Sequence, residues 1–145
     1  MKQHTDSLGF LLNNAARLAK TDFANRMEQL GITFSQYMVL KDISINSGGG
    51  EDNLTLAAIA KRLNSNRPNM TGIIDRLEKQ DLIKRAHNSR DRRAQIITLT
   101  DKASSLMEEL QIMSNETTSK ALEGFQESEV ALVKEYLIRI INNLL

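Results

Sequence analysis

No cysteine occurs among the 145 residues, which excludes disulfides, thiol catalysis, thiol redox sensing and cysteine-based zinc sites. Only His4 and His87 offer imidazole, and they lie far apart, so no metal-ligand spacing exists and no cofactor is expected. No apolar run approaches the ~18 residues of a membrane span. The opening MKQHTDSLGF has no apolar stretch followed by a small-residue cleavage site, so no secretory leader is expected and the cytoplasm is the expected compartment. Proline occurs once and turn residues are scarce, which favours a mostly helical fold. The one glycine-rich stretch, NSGGGEDN at 46–53, has neither a GxxxxGK[ST] pattern nor a preceding strand, so it reads as a flexible connector rather than a phosphate cradle.

What is present suits one domain over 1–145 with a real core. Net charge is only +1, but it is unevenly spread. Between Lys61 and Arg93 ten basic residues stand against four acidic ones, whereas the remainder carries nine basic and fourteen acidic. A basic block in a near-neutral chain fits either a local polyanion contact or an ordinary solvated face, and charge counting alone does not separate them.

Hydrophobic spacing supplies the elements. Leu8, Leu11, Leu12, Ala15, Leu18, Ala19, Phe23 and Met27 alternate in threes and fours, predicting a helix that Gly31 stops. Thr33 and Gln36 fit a capping box for a second helix, with Ile32 and Tyr37 placed as its staple and Tyr37, Leu40 and Ile43 on its buried face. Thr55 caps a third, whose inward residues are Leu56, Ile59, Ala60 and Leu63. Asn66 caps a fourth, with Pro68 in its first turn and Ile73, Ile74 and Leu77 as its buried stripe. Residues 82–85 and 95–99 read as paired strands around the polar HNSRDRRA, and Asp81 occupies a position that wants a left-handed backbone. Thr100 caps a long helix to about Leu122. A last helix carries Val130, Val133, Leu137, Ile140, Ile141 and Leu144, its cap being either Gln126 or Ser128. Two short helices joined by a tight turn and followed by a hairpin predict a mainly α winged helix-turn-helix with a small β-hairpin wing. The winged lobe is expected over about 33–100, with helices at about 6–30 and 101–145 whose apolar stripes suit dimerisation.

This order of elements gives the basic block its chemistry. A recognition helix reads the major groove near its N-terminus, where Asn66, Arg67, Asn69 and Thr71 stand, with Arg76 farther along its outer side. Arginine pairs bidentately with guanine and asparagine with adenine. The wing tip offers Arg90, Arg92 and Arg93, and narrow minor grooves attract arginine. Asp91, between them, is expected to hold a neighbouring arginine by a bidentate pair.

The ITFSQYMVL, LAAIAKRL, NMTGIIDRLEKQDLIKR and ITLTDKA segments, with Leu8-Gly9 and the DRR of the wing, resemble the multiple-antibiotic-resistance regulator (MarR) family of bacterial winged-helix transcription factors. The resemblance runs from about Leu8 to Leu144. It implies an obligate homodimer with interleaved terminal helices and two lobes on a pseudo-palindromic double-stranded DNA operator. It also implies DNA contacts from Asn66, Arg67, Asn69 and Thr71, an orienting role for Asp91, minor-groove insertion of Arg93, and phosphate contacts from Arg90 and Arg92. Family members usually have glycine where Asp81 and Ala103 stand, small hydroxyl residues are common where Pro68 and Asn69 stand, and the 46–53 loop is longer here. The operator preference therefore does not carry over.

The family often binds small aromatic or anionic effectors between the dimerisation helices and the lobe. That implies Arg17 as an anion contact and Phe23, Tyr37 and Met38 as crevice lining; the alternative for each is an ordinary core or surface role. Carboxylates are the only remaining catalytic candidates, and Glu108, Glu109, Glu127 and Glu129 are accounted for by solvated helix faces, so no enzymatic activity is expected. The function expected is that of a dimeric DNA-binding repressor released by a small effector. The alternatives are the same scaffold without an effector, or a protein-interaction module that no longer binds DNA.

Overall fold

A computed structural model describes residues 6–145; residues 1–5, His4 among them, lie outside the described residues. Helix α1 (Leu8–Met27) starts at Ser7, whose hydroxyl accepts from the Phe10 N–H, and tightens into a 3₁₀ turn at Glu28–Leu30. Next come α2 (Phe34–Asn46), a 3₁₀ turn at Glu51–Leu54, α3 (Leu56–Arg62), α4 (Arg67–Lys79), β1 (Ile83–His87), β2 (Gln95–Leu99), α5 (Asp101–Ala121) and α6 (Glu127–Leu144). The caps fall where the sequence puts them. Thr33 and Gln36 close a reciprocal capping box, Thr55, Asn66 and Thr100 each accept from the backbone three residues on, and Gln126 rather than Ser128 caps α6.

Three helices end in one way. Gly31, Asn64 and Asp81 take left-handed backbones, with φ of 66°, 51° and 59°, and the next residue's N–H reaches back to the carbonyls of Met27, Ala60 and Leu77. Thr100 then donates to the Asp81 carbonyl at 2.7 Å, and Lys102 donates to the Gln80 carbonyl at 2.7 Å. The exit of α4 is thereby tied to the start of α5.

The core packs α2, α3 and α4 against the hairpin, with Leu40, Ile43, Ile59, Met70, Ile74, Leu77, Ile83 and Ile97 wholly buried. It runs beyond the 33–100 span expected for the lobe, because Phe23 and Met27 of α1 and Ala103 and Leu110 of α5 belong to it. Met70 joins the buried face of α4, which the spacing of Ile73, Ile74 and Leu77 did not disclose. The strands pair antiparallel from Ile83 opposite Leu99 to His87 opposite Gln95, and Thr55 adds a single bridge to Ile96. That bridge anchors the start of α3 to the wing.

Outside the core, α1 and α5 are joined by polar contacts. The Asp22 carboxylate accepts from Lys120 Nζ at 2.7 Å and from Arg26 and the Thr117 hydroxyl at 2.8 Å, while Arg26 also reaches Glu116 at 2.8 Å. These donors, Lys120 foremost, hold the Asp22 carboxyl well below the usual carboxylate range. By contrast, the first half of α1 and all of α6 leave their apolar stripes open: Leu8, Leu11 and Leu18, and Leu132, Val133, Leu137, Ile141 and Leu144, are exposed, and no α6 residue is buried. No helix among the described residues is long and apolar enough to cross a membrane.

Candidate nucleic-acid interface

The site begins at the turn between α3 and α4. Asn66 Oδ1 accepts from the Asn69 N–H at 2.8 Å and so starts α4. Asn69 Nδ2 donates to the Ser65 hydroxyl at 2.9 Å, which fixes the asparagine across the turn. Asn66, Arg67, Pro68, Asn69 and Arg76 are exposed, Thr71 is half-buried, and Met70, Ile73, Ile74 and Leu77 face the core. The first turn of α4 therefore presents the polar side chains of Asn66, Arg67 and Asn69 at the positive end of a helix dipole, a favourable place for phosphate oxygens.

The wing brings its arginines to the same surface. Arg67, Asp91, Arg93, Ala94 and Gln95 line a notch of about 360 Å³ with Thr55, Leu56 and Ala57 at the start of α3. Two guanidinium-bearing residues from distant parts of the chain thus share one concave face. Arg76 lies roughly 14 Å along the helix axis from Arg67, outside this notch. Arg90 and Arg92 are exposed on the wing tip but do not line it.

One expectation is corrected. Among the described residues Asp91 forms no bidentate pair with an arginine side chain. Its Oδ1 accepts from the Arg93 backbone N–H at 2.9 Å, and its carbonyl accepts from the Ala94 N–H at 3.1 Å. An aspartate two residues before an N–H closes a local turn. Asp91 shapes the tip through backbone, and leaves the guanidinium of Arg93 to the notch.

Two members of the basic block are committed internally. Arg62 makes a two-pronged contact with Asp42, with Nη2 to Oδ2 at 2.8 Å and Nε to Oδ1 at 2.9 Å, and donates to the Asn53 carbonyl at 2.6 Å. That carboxylate raises the Arg62 pKa above its usual value. Arg85 is ion-paired with Asp75, and with Glu78 at 3.4 Å. Neither pairing is visible in residue spacing, because the partners lie on different elements.

The glycine-rich loop is more than the plain connector expected of it. Glu51 Oε2 accepts from both the backbone N–H of Ser89, at 3.0 Å, and its hydroxyl, at 2.8 Å. Asp52 Oδ1 accepts from Asn88 Nδ2 at 3.0 Å. The sequence reading missed these supports; the only available signal was two acids next to glycines, which is too common to be informative.

Of the four suggested effector residues only Phe23 and Tyr37 meet, and they do so as core packing. Arg17 is exposed and donates to Asn14 at 2.9 Å. Phe23 is buried, with its ring edge-on to Tyr37 at 4.8 Å and to Phe34 at 6.4 Å. Burial pushes the Tyr37 phenol up, against a hydrogen bond with Ser114. Met38 lines a crevice of about 210 Å³, with Lys20, Phe34, Ser35, Asn69 and Met70 among its walls. Lys20 Nζ stands 4.6 Å from the Phe34 ring centroid, a cation over an aromatic face that the sequence reading passed over.

A helix-turn-helix with an exposed N-terminal turn on its second helix, joined to an arginine-bearing hairpin, defines a winged helix-turn-helix protein. Known proteins agree. The MarR family model matches residues 32–94. The chain is 30% identical to the transcriptional regulator PA3341 over 95% of this chain and 98% of that one, with a TM-score of 0.77. It shares its fold with apo MarR from E. coli (20% identity, 92% and 96% of the two chains, TM-score 0.80) and with S. aureus MepR in a DNA complex (24% identity, 96% and 97%, TM-score 0.77). The chain belongs to the MarR family of winged-helix DNA-binding transcription regulators.

Proposed function

We propose that this protein is a cytoplasmic homodimer that binds a pseudo-palindromic operator and represses transcription until a small effector releases it. The convergence of Arg67 and Arg93 on one notch beside the first turn of α4 carries this reading. The first turn of α4, with Asn66, Arg67, Asn69 and Thr71, enters the major groove, and Arg93 enters the adjoining minor groove. Arg76, Arg90 and Arg92 contact phosphates, and Asp91 holds the wing backbone in shape. The open stripes of α1 and α6 pair with those of a second copy and set the spacing of the two lobes. The MepR–DNA complex supports a duplex as the partner of this surface.

Fluorescence anisotropy tests the reading, with duplex from upstream of the protein's own gene against random duplex. Preference for the former is expected, with log affinity falling linearly in log salt concentration. Equal binding to both duplexes sinks the proposal.

For the effector, the crevice of Lys20, Phe34 and Met38 suits a small aromatic anion better than Arg17, Phe23 and Tyr37 do, because it pairs a cation with apolar walls. Its contact with Asn69 and Met70 lets an occupant bias the position of α4. Small aromatic carboxylates are expected to raise the melting temperature, and Lys20→Met to abolish that shift. A flat response across such a screen favours the same DNA-binding scaffold without an effector.

A further inference from the structure

Past the strand ladder, the tip of the wing is shaped by the two turn bonds that Asp91 accepts. The ladder between β1 and β2 ends at His87 and Gln95, and beyond it the Asn88 N–H donates to the Ala94 carbonyl at 3.0 Å. Everything that carries the arginines, 89–93, projects past that bond. Its connection to the body runs through Asn88 and Ser89. Asn88 is buried, and its side chain works in both directions: Nδ2 donates to Asp52, and Oδ1 accepts from the Arg90 N–H at 2.8 Å. Ser89 gives both of its donors to Glu51.

The loop that supplies these carboxylates is itself secured. Arg62 clamps the Asn53 carbonyl while gripping Asp42 of α2. Asn53 Nδ2 donates back to the Gly49 carbonyl at 2.6 Å. Gly50 takes a φ of 97°, which side-chain-bearing residues rarely adopt, and a Cβ on Gly49 would stand 2.7 Å from Asn53 Nδ2. Gly50 is thus required by the backbone of the loop, and a side chain at Gly49 would displace the Asn53 amide from its place. A continuous polar chain runs from α2 and α3 through residues 49–53 to the base of the arginine tip.

We propose that this loop is a strap that positions the wing for DNA reading, with Glu51 and Asp52 as positioning residues. Neither lines the notch, and both act through Asn88 and Ser89 on the arginine-bearing backbone. The proposal rests on the DNA-binding reading. A carboxylate with two hydrogen bonds to one residue fixes direction as well as distance. An arginine that reads groove width works only if its backbone is held where the groove will be. The charge of Glu51 also lies close enough to Arg90 to attract it, so a purely electrostatic role makes the opposite prediction: loss of Glu51 would strengthen binding to every duplex.

The test compares wild-type, Glu51→Ala, Glu51→Gln and Ser89→Ala proteins in two measurements. In the first, without DNA, trypsin cleavage after Arg90, Arg92 and Arg93 is followed in the intact protein. Glu51→Ala is expected to accelerate it on the order of tenfold, with Glu51→Gln close to wild type because the amide oxygen still accepts from Ser89. Ser89→Ala, which keeps the backbone donor, falls between. In the second, anisotropy, Glu51→Ala is expected to bind the upstream duplex about tenfold more weakly while random-duplex binding does not fall, and Glu51→Gln restores the preference. Wild-type rates of wing cleavage in Glu51→Ala would overturn the strap. So would unchanged preference for the upstream duplex, or tighter binding of Glu51→Ala and Glu51→Gln alike to all duplexes. A wild-type protein with no duplex preference would overturn the DNA reading instead, and the cleavage measurement would then decide whether the strap holds the wing.

Discussion

Leu137→Glu is expected to turn the protein into a monomer and to lower affinity for the upstream duplex by roughly 10²–10⁴, the factor by which tethering a second binding module raises avidity. The position is chosen from the state of α6, whose residues are nowhere buried although Val133, Leu137, Ile141 and Leu144 repeat at helical spacing. Leu144 is 82% exposed and Leu8, at the other end of the chain, 62%. Two such stripes on one small protein are more apolar surface than a monomer ordinarily leaves in water. In a symmetric dimer a single substitution acts twice, and a glutamate buried without a partner opposes association strongly. Because α6 adds nothing to the buried core, the lobe is expected to keep its helical circular dichroism. Light scattering reports the mass and anisotropy the affinity. A variant that remains dimeric would place the interface elsewhere.

The second large effect is expected at the wing. Arg93→Ala should cost about 1–3 kcal/mol of binding to the upstream duplex, by the magnitude of a lost groove contact. It should also relax discrimination against substitutions under the wing. Arg92→Ala, outside the notch, should weaken all duplexes about equally and reduce the salt slope by about one. The contrast matters more than either value, since a general loss of positive charge would make the two variants alike. Equal behaviour would remove Arg93 from the minor groove.

Much of the fold was legible because its signals are local. A threonine or asparagine that accepts from the N–H three residues on announces its helix within four letters, as at Thr33, Thr55, Asn66 and Thr100. Apolar positions in threes and fours mark a buried or interface face, but not which. The stripe of α1 enters the core at Phe23 and Met27 and stays open at Leu8, Leu11 and Leu18, with no change in its pattern. The candidate site was legible to a similar depth. Asn66, Arg67 and Arg93 could be named from the order of elements, yet the role of Asp91 was misjudged. Its carboxylate could reach either a guanidinium or a backbone N–H, and the turn geometry selects the latter.

By itself, then, the sequence determined the main helices and strands, the caps at Thr33, Thr55, Asn66 and Thr100, the arginine-bearing hairpin and the family, since each depends on residues within a helical turn or a short motif of one another. Tertiary structure alone decided which charges remain available. Arg62 finds Asp42 across 20 positions and is removed from the basic surface; Glu51 finds Ser89 across 38, and Asp22 finds Lys120 across 98. Long side chains bond whatever the fold brings within about 3 Å, and nothing in their spacing along the chain records that meeting.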